Sequence, residues 1–380
     1  MTAGPFELPD LHAQLAKEAA ALGSSLDAIA GRVDEADSVD PEVRAAVADS
    51  GLASLLVPAQ FGGRFERVDA LAATVVREQL AGHCAHADSL FAMQGIGSFP
   101  ITAGGSDAVR KRWLPAVAAL ESIAALALTE PDVGSDLKAI STVAVPDAGF
   151  LILDGRKSFI TNAGDADFYC VLAKEGDGYS MVLVPAGTAG LSVCRPHQII
   201  APHVLGDVIL DGVRVPAGNR LGAPGRGFDL TLATLGTFRV SVAGAAIGLA
   251  QAALEEAARH AAGRQMFGTS LARLGSVPAA LAMSWTEIEM ARALAYRAAA
   301  AASVDPLASL HLSSLAKVGA TEAAGRIVDR AVQIMGRFGL VRGTKIERLY
   351  REARPMRIYE GSSEAILDSL ARRLVRDVAI

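Results

Sequence analysis

The sequence predicts a mostly α-helical protein with a β domain at its centre, on three observations. Over about 8–120, apolar residues recur at intervals of three and four, as in Val43, Ala46, Val47 and Leu52, or Leu71, Val75, Val76 and Leu80. This is the spacing of one helix face. From about 123 to 221 the pattern changes to short β-rich runs at 150–155, 168–173, 180–185 and 207–213, each bounded by Gly, Asp or Pro, as strands between turns are. After Gly227 the helical period returns through Ala-rich stretches at 242–262, 279–302 and 307–338. So many small side chains suit helices that approach closely, in a bundle or between subunits.

With 380 residues, 51% hydrophobic and 20% charged, the chain can build two or three packed domains around well-buried cores. Its charges are interspersed and its net charge is -5, so no basic stripe offers itself to a phosphate backbone and nucleic acid is not an expected partner. Cys84, Cys170 and Cys194 are odd in number and far apart, as expected of reduced thiols in a cytoplasmic protein. The stretch His83-Cys84-Ala85-His86 lacks a second ligand pair at zinc-site spacing, so it is read as a polar helix segment and no metal is expected. The start of the chain has neither the charged opening nor the apolar run of a signal peptide. The most apolar window, 240–254, is read as a packed internal helix too short to span a bilayer. The expected location is cytoplasmic, with no membrane partner.

Four segments carry polar groups in patterns suited to chemistry. In Arg357-Ile358-Tyr359-Glu360-Gly361-Ser362-Ser363-Glu364 an acid lies between an aromatic ring and a glycine. Apolar neighbours strip water from a carboxylate and make it a stronger base, and glycine admits a ligand closely. Leu128-Thr129-Glu130-Pro131-Asp132-Val133-Gly134-Ser135-Asp136 gathers hydroxyls and backbone N–H groups that suit cofactor oxygens. A turn capped by Ser135 or Asp136 is the other reading. In Ser158-Phe159-Ile160-Thr161-Asn162 a ring and a hydroxyl two residues apart share one strand face. They suit stacking on a flat cofactor and bonding to its edge, or a core Phe beside a surface Thr. In Arg264-Gln265-Met266-Phe267-Gly268 the arginine could reach a diphosphate or the last carbonyls of a helix that Gly268 ends.

Taken together and in order, these segments resemble the acyl-CoA dehydrogenase family of flavoproteins over essentially the whole chain. The residues that carry the resemblance are Thr-Glu-Pro-x-x-Gly-Ser-Asp at 129–136, Phe-Ile-Thr-Asn at 159–162, Arg-x-x-Phe-Gly at 264–268, Glu-Arg-Leu-Tyr-Arg-Glu-Ala-Arg at 347–354 and Ile-Tyr-Glu-Gly at 358–361. The resemblance implies an N-terminal helical domain (1–122), a middle β-barrel-like domain (123–226) and a C-terminal four-helix bundle (227–380), with FAD held between barrel and bundles. Leu128, Thr129, Gly134, Ser135, Phe159, Ile160 and Thr161 would then contact the cofactor. Arg264, Phe267, Gln333 and Gly336 would reach FAD in a neighbouring subunit, with Ser362 and Glu364 near the adenosine. Ser135, Arg239, Tyr359 and Gly361 would meet the substrate.

The activity so implied is α,β-dehydrogenation of an acyl thioester, Glu360 taking the α-proton while the β-hydride goes to FAD. An electron-transfer flavoprotein and a homotetramer or homodimer come with it. Phe238 stands where some relatives carry the base, so Glu360 is the one acid at a family base position. Several residues depart from the pattern: Gly236 for a carrier-contacting Asp or Asn, the stretch His197 to Gly206 for Lys-x-Gly, no Gln near Leu274 and Gly275, and Arg337 for a second glycine. They leave open an acyl carrier protein in place of CoA in a biosynthetic pathway. A flavin oxidase and a non-catalytic acyl-thioester binding protein are the other classes, and retention of Glu360, Thr129 and Thr161 favours dehydrogenation.

Overall fold

The structure is a computed structural model in which residues 8–379 are described. Helices α1 (Asp10–Val33), α2 (Pro41–Ser50), α3 (Ala70–Ala81), α4 (Ala85–Gly104) and α5 (Asp107–Ala118) come first. The strands are β1 (Ala124–Ala127), β2 (Val143–Asp147), β3 (Phe150–Thr161), β4 (Phe168–Glu175), β5 (Gly178–Pro185), β6 (Leu191–Cys194), β7 (Leu205–Pro216) and β8 (Arg220–Leu221). Then follow α6 (Gly227–Gly263), a hairpin of β9 (Gln265–Met266) and β10 (Thr269–Ser270), α7 (Val277–Val304), α8 (Leu310–Met335), α9 (Lys345–Ala353) and α10 (Ser363–Val378). Local chemistry sets many boundaries. Asp40 caps α2 by accepting from the N–H groups of Glu42 and Val43, Pro41 begins the helix and left-handed Gly51 ends it.

The α/β/α order is the one read from the hydrophobic periods, but the middle region is not barrel-like. Its strands run β6-β7-β3-β2-β4-β5-β8, with β1 added parallel to β4. The sheet is mixed and open, because the end strands β6 and β8 have four and two residues, too short to share the staggered ladder that closes a barrel. Strand β2 escapes a propensity reading because Pro146 lies inside it. It is tolerated there because β2 meets β4 at Val143 alone and pairs with β3 elsewhere, so no second ladder needs the missing N–H.

The chain divides into two compact units. Of the described residues, one comprises 8–34, 70–88 and 239–379, and the other 35–69 and 89–238. The second has a core of Val57, Phe61, Ile101, Leu114 and Val117 with the inward side chains Phe168, Cys170, Leu172, Met181 and Leu183 of β4 and β5. The first is Ala-rich, with Ala243, Ala246, Ala250, Ala253, Ala295, Ala298, Ala320 and Ala324 in one cluster. Here α3 and α6 touch backbone to backbone: a β-carbon on Gly244 would lie 2.2 Å from the Thr74 carbonyl oxygen, and one on Gly248 would lie 1.7 Å from that of Glu78. Gly248→Ala must therefore push the helices apart, and we expect a loss of about 3 kcal/mol, read as a lowered midpoint in chemical denaturation.

Helix α6 is longer than its apolar window suggested, and by length and composition it is the one described helix that could cross a membrane. Yet 78% of its most apolar 18-residue stretch is buried inside the protein. The His83-Cys84 stretch is a turn between α3 and α4 rather than helix, with the His83 ring 3.0 Å from Asp27 and the buried Cys84 thiol beside Asp34.

Candidate active site

In the helical unit, the turn between α9 and α10 carries Tyr359, Glu360 and Gly361. Glu360 adopts φ +52° and Gly361 φ +99°, a left-handed pair that costs a non-glycine residue about 1–3 kcal/mol. Three cationic or polar groups hold it. Arg239 of α6 donates through Nε to the Glu360 carbonyl (3.0 Å) and through Nη1 to Ser314 Oγ (3.0 Å). Lys317 of α8 donates through Nζ to the Gly361 carbonyl (2.7 Å), and Ser362 caps α10. Tyr359, Glu360, Gly361 and Arg239 are thus brought together.

The Glu360 carboxyl has its main chain anchored and its Oε2 shut from solvent without a hydrogen-bond partner. Burial raises its pKa above the ordinary glutamate range, against the pull of Arg77, Arg239 and Lys317, while Asp88 acts in the same direction as burial. Behind it lies a buried ion pair, Arg77 to Asp88, with both contacts at 2.8 Å and a third from Arg77 Nη1 to Ser241 Oγ at 3.0 Å. This pair is not among the residues expected at the site from sequence. The signal was present: Arg77 and Glu78 sit amid the apolar run of α3, on the helix's buried side.

In the sheet unit, the loop after β1 is fastened to β3. Thr129 Oγ1 donates to the Ser158 carbonyl (2.5 Å), and Ser158 N–H donates to the Thr129 carbonyl (2.9 Å). Lys157, fully buried, bonds both the Leu128 carbonyl and Glu130 Oε1 at 2.9 Å. Burial alone would raise the Glu130 carboxyl, but bonds from Ser141 and Thr142 outweigh it and hold it at about 2, while burial draws Lys157 down to about 8 against the pull of Glu130. Asp136 precedes a short 3-10 turn without a side-chain cap bond, which weakens the capped-turn reading. Around Gly134 the space is open.

The strand reading of 158–161 needs one correction. A bulge between Lys157 and Ile160 resets the alternation, so Lys157 and Ser158 are both buried, Phe159 is 52% exposed, Ile160 is in the core and Thr161 is half-buried. Phe159 takes φ +57°, held by Asp207, which accepts from Ser158 Oγ (2.6 Å), Phe159 N–H (3.3 Å) and both Nε and Nη2 of Arg156. The Phe159 ring stacks on His197, with centroids 4.6 Å apart and planes at 8°.

Elsewhere in the helical unit, Gly268 does not end a helix. Gly263 ends α6, and Phe267 and Gly268, both at positive φ, form the two-residue loop of the β9–β10 hairpin. This leaves the Phe267 ring 90% exposed. The Arg264 guanidinium lies 6.0 Å from the Phe338 ring, which brings it near the segment that left-handed Gly336 opens after α8. Glu364 is exposed in the first turn of α10.

Family models cover nearly the full chain: acyl-CoA dehydrogenase N-terminal domain at 10–121, middle domain at 125–212 and C-terminal domain at 225–375. The chain belongs to the acyl-CoA dehydrogenase family. Among curated relatives it is 34% identical to cyclohexane-1-carbonyl-CoA dehydrogenase of Geobacter metallireducens over 92% of this chain and 93% of the other. Among solved structures it superposes on butyryl-CoA dehydrogenase from Megasphaera elsdenii with a TM-score of 0.92 at 28% identity, over 98% and 100% of the two chains. It also resembles acyl-CoA dehydrogenase complexed with FAD from Bacillus anthracis, with a TM-score of 0.91 at 27% identity, over 100% of this chain and 69% of that one. The protein is accordingly a flavoenzyme that uses FAD to dehydrogenate an acyl-CoA thioester at a CH–CH bond. The residues are of the right kind for an acyl-CoA dehydrogenase: an exposed aromatic ring, open space at Gly134, an immobilised hydroxyl loop and a buried carboxylate with one oxygen unpartnered.

Proposed function

We propose that Glu360 is the base that removes the α-proton of the acyl thioester. The observation that carries this reading is the buried, unpartnered Oε2 on a strained turn held by Arg239 and Lys317. Strained backbone that its surroundings over-determine is a mark of functional sites. Desolvation makes Glu360 a stronger base than a surface glutamate. Its raised pKa means activity rises with pH as the carboxyl loses its proton, through a range above that of ordinary glutamates.

In this reading Leu128, Thr129, Gly134, Ser135, Phe159, Ile160 and Thr161 hold FAD, and Ser362 and Glu364 serve its adenosine end. When bound, FAD supplies the acceptor for the hydride that leaves the β-carbon. Thr129 has committed its hydroxyl proton to Ser158, so its oxygen is left to accept. Ser135, Tyr359, Arg239 and Gly361 position the thioester. The Glu360 N–H, in a turn whose carbonyls are already engaged, is a donor for the thioester oxygen as negative charge develops there.

Arg264, Phe267, Gln333 and Gly336 serve FAD of a neighbouring copy in a homotetramer or homodimer, a reading supported by the exposed Phe267, Phe338 and Leu340. The domain limits remain those of the sequence, 1–122, 123–226 and 227–380, with α6, α7, α8 and α10 as the four-helix bundle. The limits of the three family models support them. Electrons leave to an electron-transfer flavoprotein in the cytoplasm. The acyl group is compact, in keeping with the cyclohexane-1-carbonyl and butyryl relatives and with the buried charges of Arg77 and Asp88 near Glu360.

The test is anaerobic bleaching of the bound flavin by acyl-CoA thioesters. Cyclohexane-1-carbonyl-CoA and butyryl-CoA are expected to bleach it, and palmitoyl-CoA to do so poorly. Preference for palmitoyl-CoA would overturn the compact-acyl reading, and peroxide formed in step with turnover in air would point to oxygen as the acceptor.

A further inference from the structure

We infer that Lys317 is a positioning residue for the base: it anchors the carbonyl after Glu360 and holds a positive charge beside the Glu360 carboxylate. The inference rests on the reading of Glu360 as the base. Lys317 is fully buried on the Ala-rich face of α8, among Ser313, Ala316, Ala320, Thr321 and Ala324. Burying an ammonium costs several kcal/mol unless it is compensated, and its hydrogen-bond partner here is a carbonyl, that of Gly361, rather than a carboxylate. Glu322, on the same helix, is engaged by Arg357 and Ser363. The lysine therefore serves the turn.

The geometry shows how. Ser314 and Lys317 are three residues apart and share a helix face. Arg239 bridges Ser314 to the Glu360 carbonyl, while Lys317 takes the next carbonyl. Two successive peptide groups are thus pinned from α6 and α8, and this fixes where the left-handed Glu360 directs its side chain. The charged groups that act on Lys317 are Glu360, Arg239, Glu322 and Glu364, and those that act on Glu360 are Arg77, Asp88, Arg239 and Lys317. Each lowers or raises the other's proton affinity in the sense expected for a cation facing a carboxylate.

The experiment measures kcat and KM against pH with butyryl-CoA or cyclohexane-1-carbonyl-CoA, whichever bleaches the flavin faster, for the wild-type holoenzyme, Lys317→Met, Lys317→Gln and Lys317→Arg. Removing the positive charge makes the Glu360 carboxylate harder to form. In the Met and Gln variants the acid limb should therefore move to higher pH by about half a unit or more. Their kcat should fall about tenfold, with KM changed less than about threefold, since binding is kept while both lose the charge that favours the Glu360 carboxylate and Met also loses the anchor of the turn. Gln keeps a donor for the Gly361 carbonyl and isolates the charge effect. Arg keeps the charge and should leave the acid limb near its wild-type position.

A merely structural lysine would instead lower flavin content or melting temperature with the acid limb unmoved, and that result overturns the inference. Should neither neutral variant fold, the wild-type profile decides. Burial, opposed by Glu360, brings the Lys317 ammonium down to about 8, so activity should fall above that pH, and a flat profile from about 8 to 10 sinks the idea. Glu360→Gln, run alongside, separates the two readings: if it stays active, the base assignment falls, and if it is silent while the Lys317 variants titrate as wild type, only the present inference falls.

Discussion

Replacing Glu360 by glutamine is expected to lower kcat about a thousandfold, the range by which a positioned base accelerates proton transfer, while flavin content and thioester binding stay close to wild type. Glutamine has nearly the same shape, and the turn it sits in is held through main-chain carbonyls by Arg239 and Lys317. The substitution therefore removes the carboxylate without removing the anchors. Stopped-flow reduction by an acyl-CoA separates the steps: the yellow protein should shift its spectrum on binding and then fail to bleach. Bleaching at more than about a tenth of the wild-type rate would mean that another group takes the proton.

The second large effect concerns the ion pair that acts on Glu360. The side chains of Arg77 and Asp88 are 5% and 7% exposed and meet bidentately. Asp88→Ala leaves the arginine's charge buried and half-partnered, and about 3–5 kcal/mol of stability should be lost, measured by chemical denaturation. Replacing both, as Arg77→Met with Asp88→Leu, should recover most of that loss, because neither charge then needs solvation. The pH profile gives a second readout with opposite signs. Asp88 raises the Glu360 pKa and Arg77 lowers it, so Asp88→Ala should move the acid limb of kcat to lower pH, and the double variant should return it toward the wild-type position. A limb that moves to higher pH in Asp88→Ala would contradict the electrostatic description of the site.

The candidate site segments stood out in the sequence because each is contiguous. Tyr359-Glu360-Gly361, Thr129 to Ser135 and Phe159 to Thr161 are short runs in which the neighbours themselves confer the properties that matter. What escaped notice was supplied from afar. Lys317 reads in sequence as one charge in an alanine-rich helix, yet it is 44 residues from the carbonyl it holds. Asp207 looks like the start of a strand, and pairing with β3 makes it the clamp on Ser158 and Phe159. Gly268 could have closed a helix until the hairpin gave it a turn to complete.

The α/β/α order was written in the amino-acid sequence, through hydrophobic periods of about 3.6 and 2 that each segment carries without help, as were the residue types around Glu360 and in the hydroxyl loop, through motifs a few residues long. That the strands form an open mixed sheet emerged on folding, since closure depends on ladder lengths and partners that no single strand encodes. The folded chain also sets how strongly the Glu360 carboxyl holds its proton. That property depends on burial and on the charges of Arg77, Asp88, Arg239 and Lys317, which four helices bring to one turn, and desolvation and Coulomb forces act through space rather than along the chain.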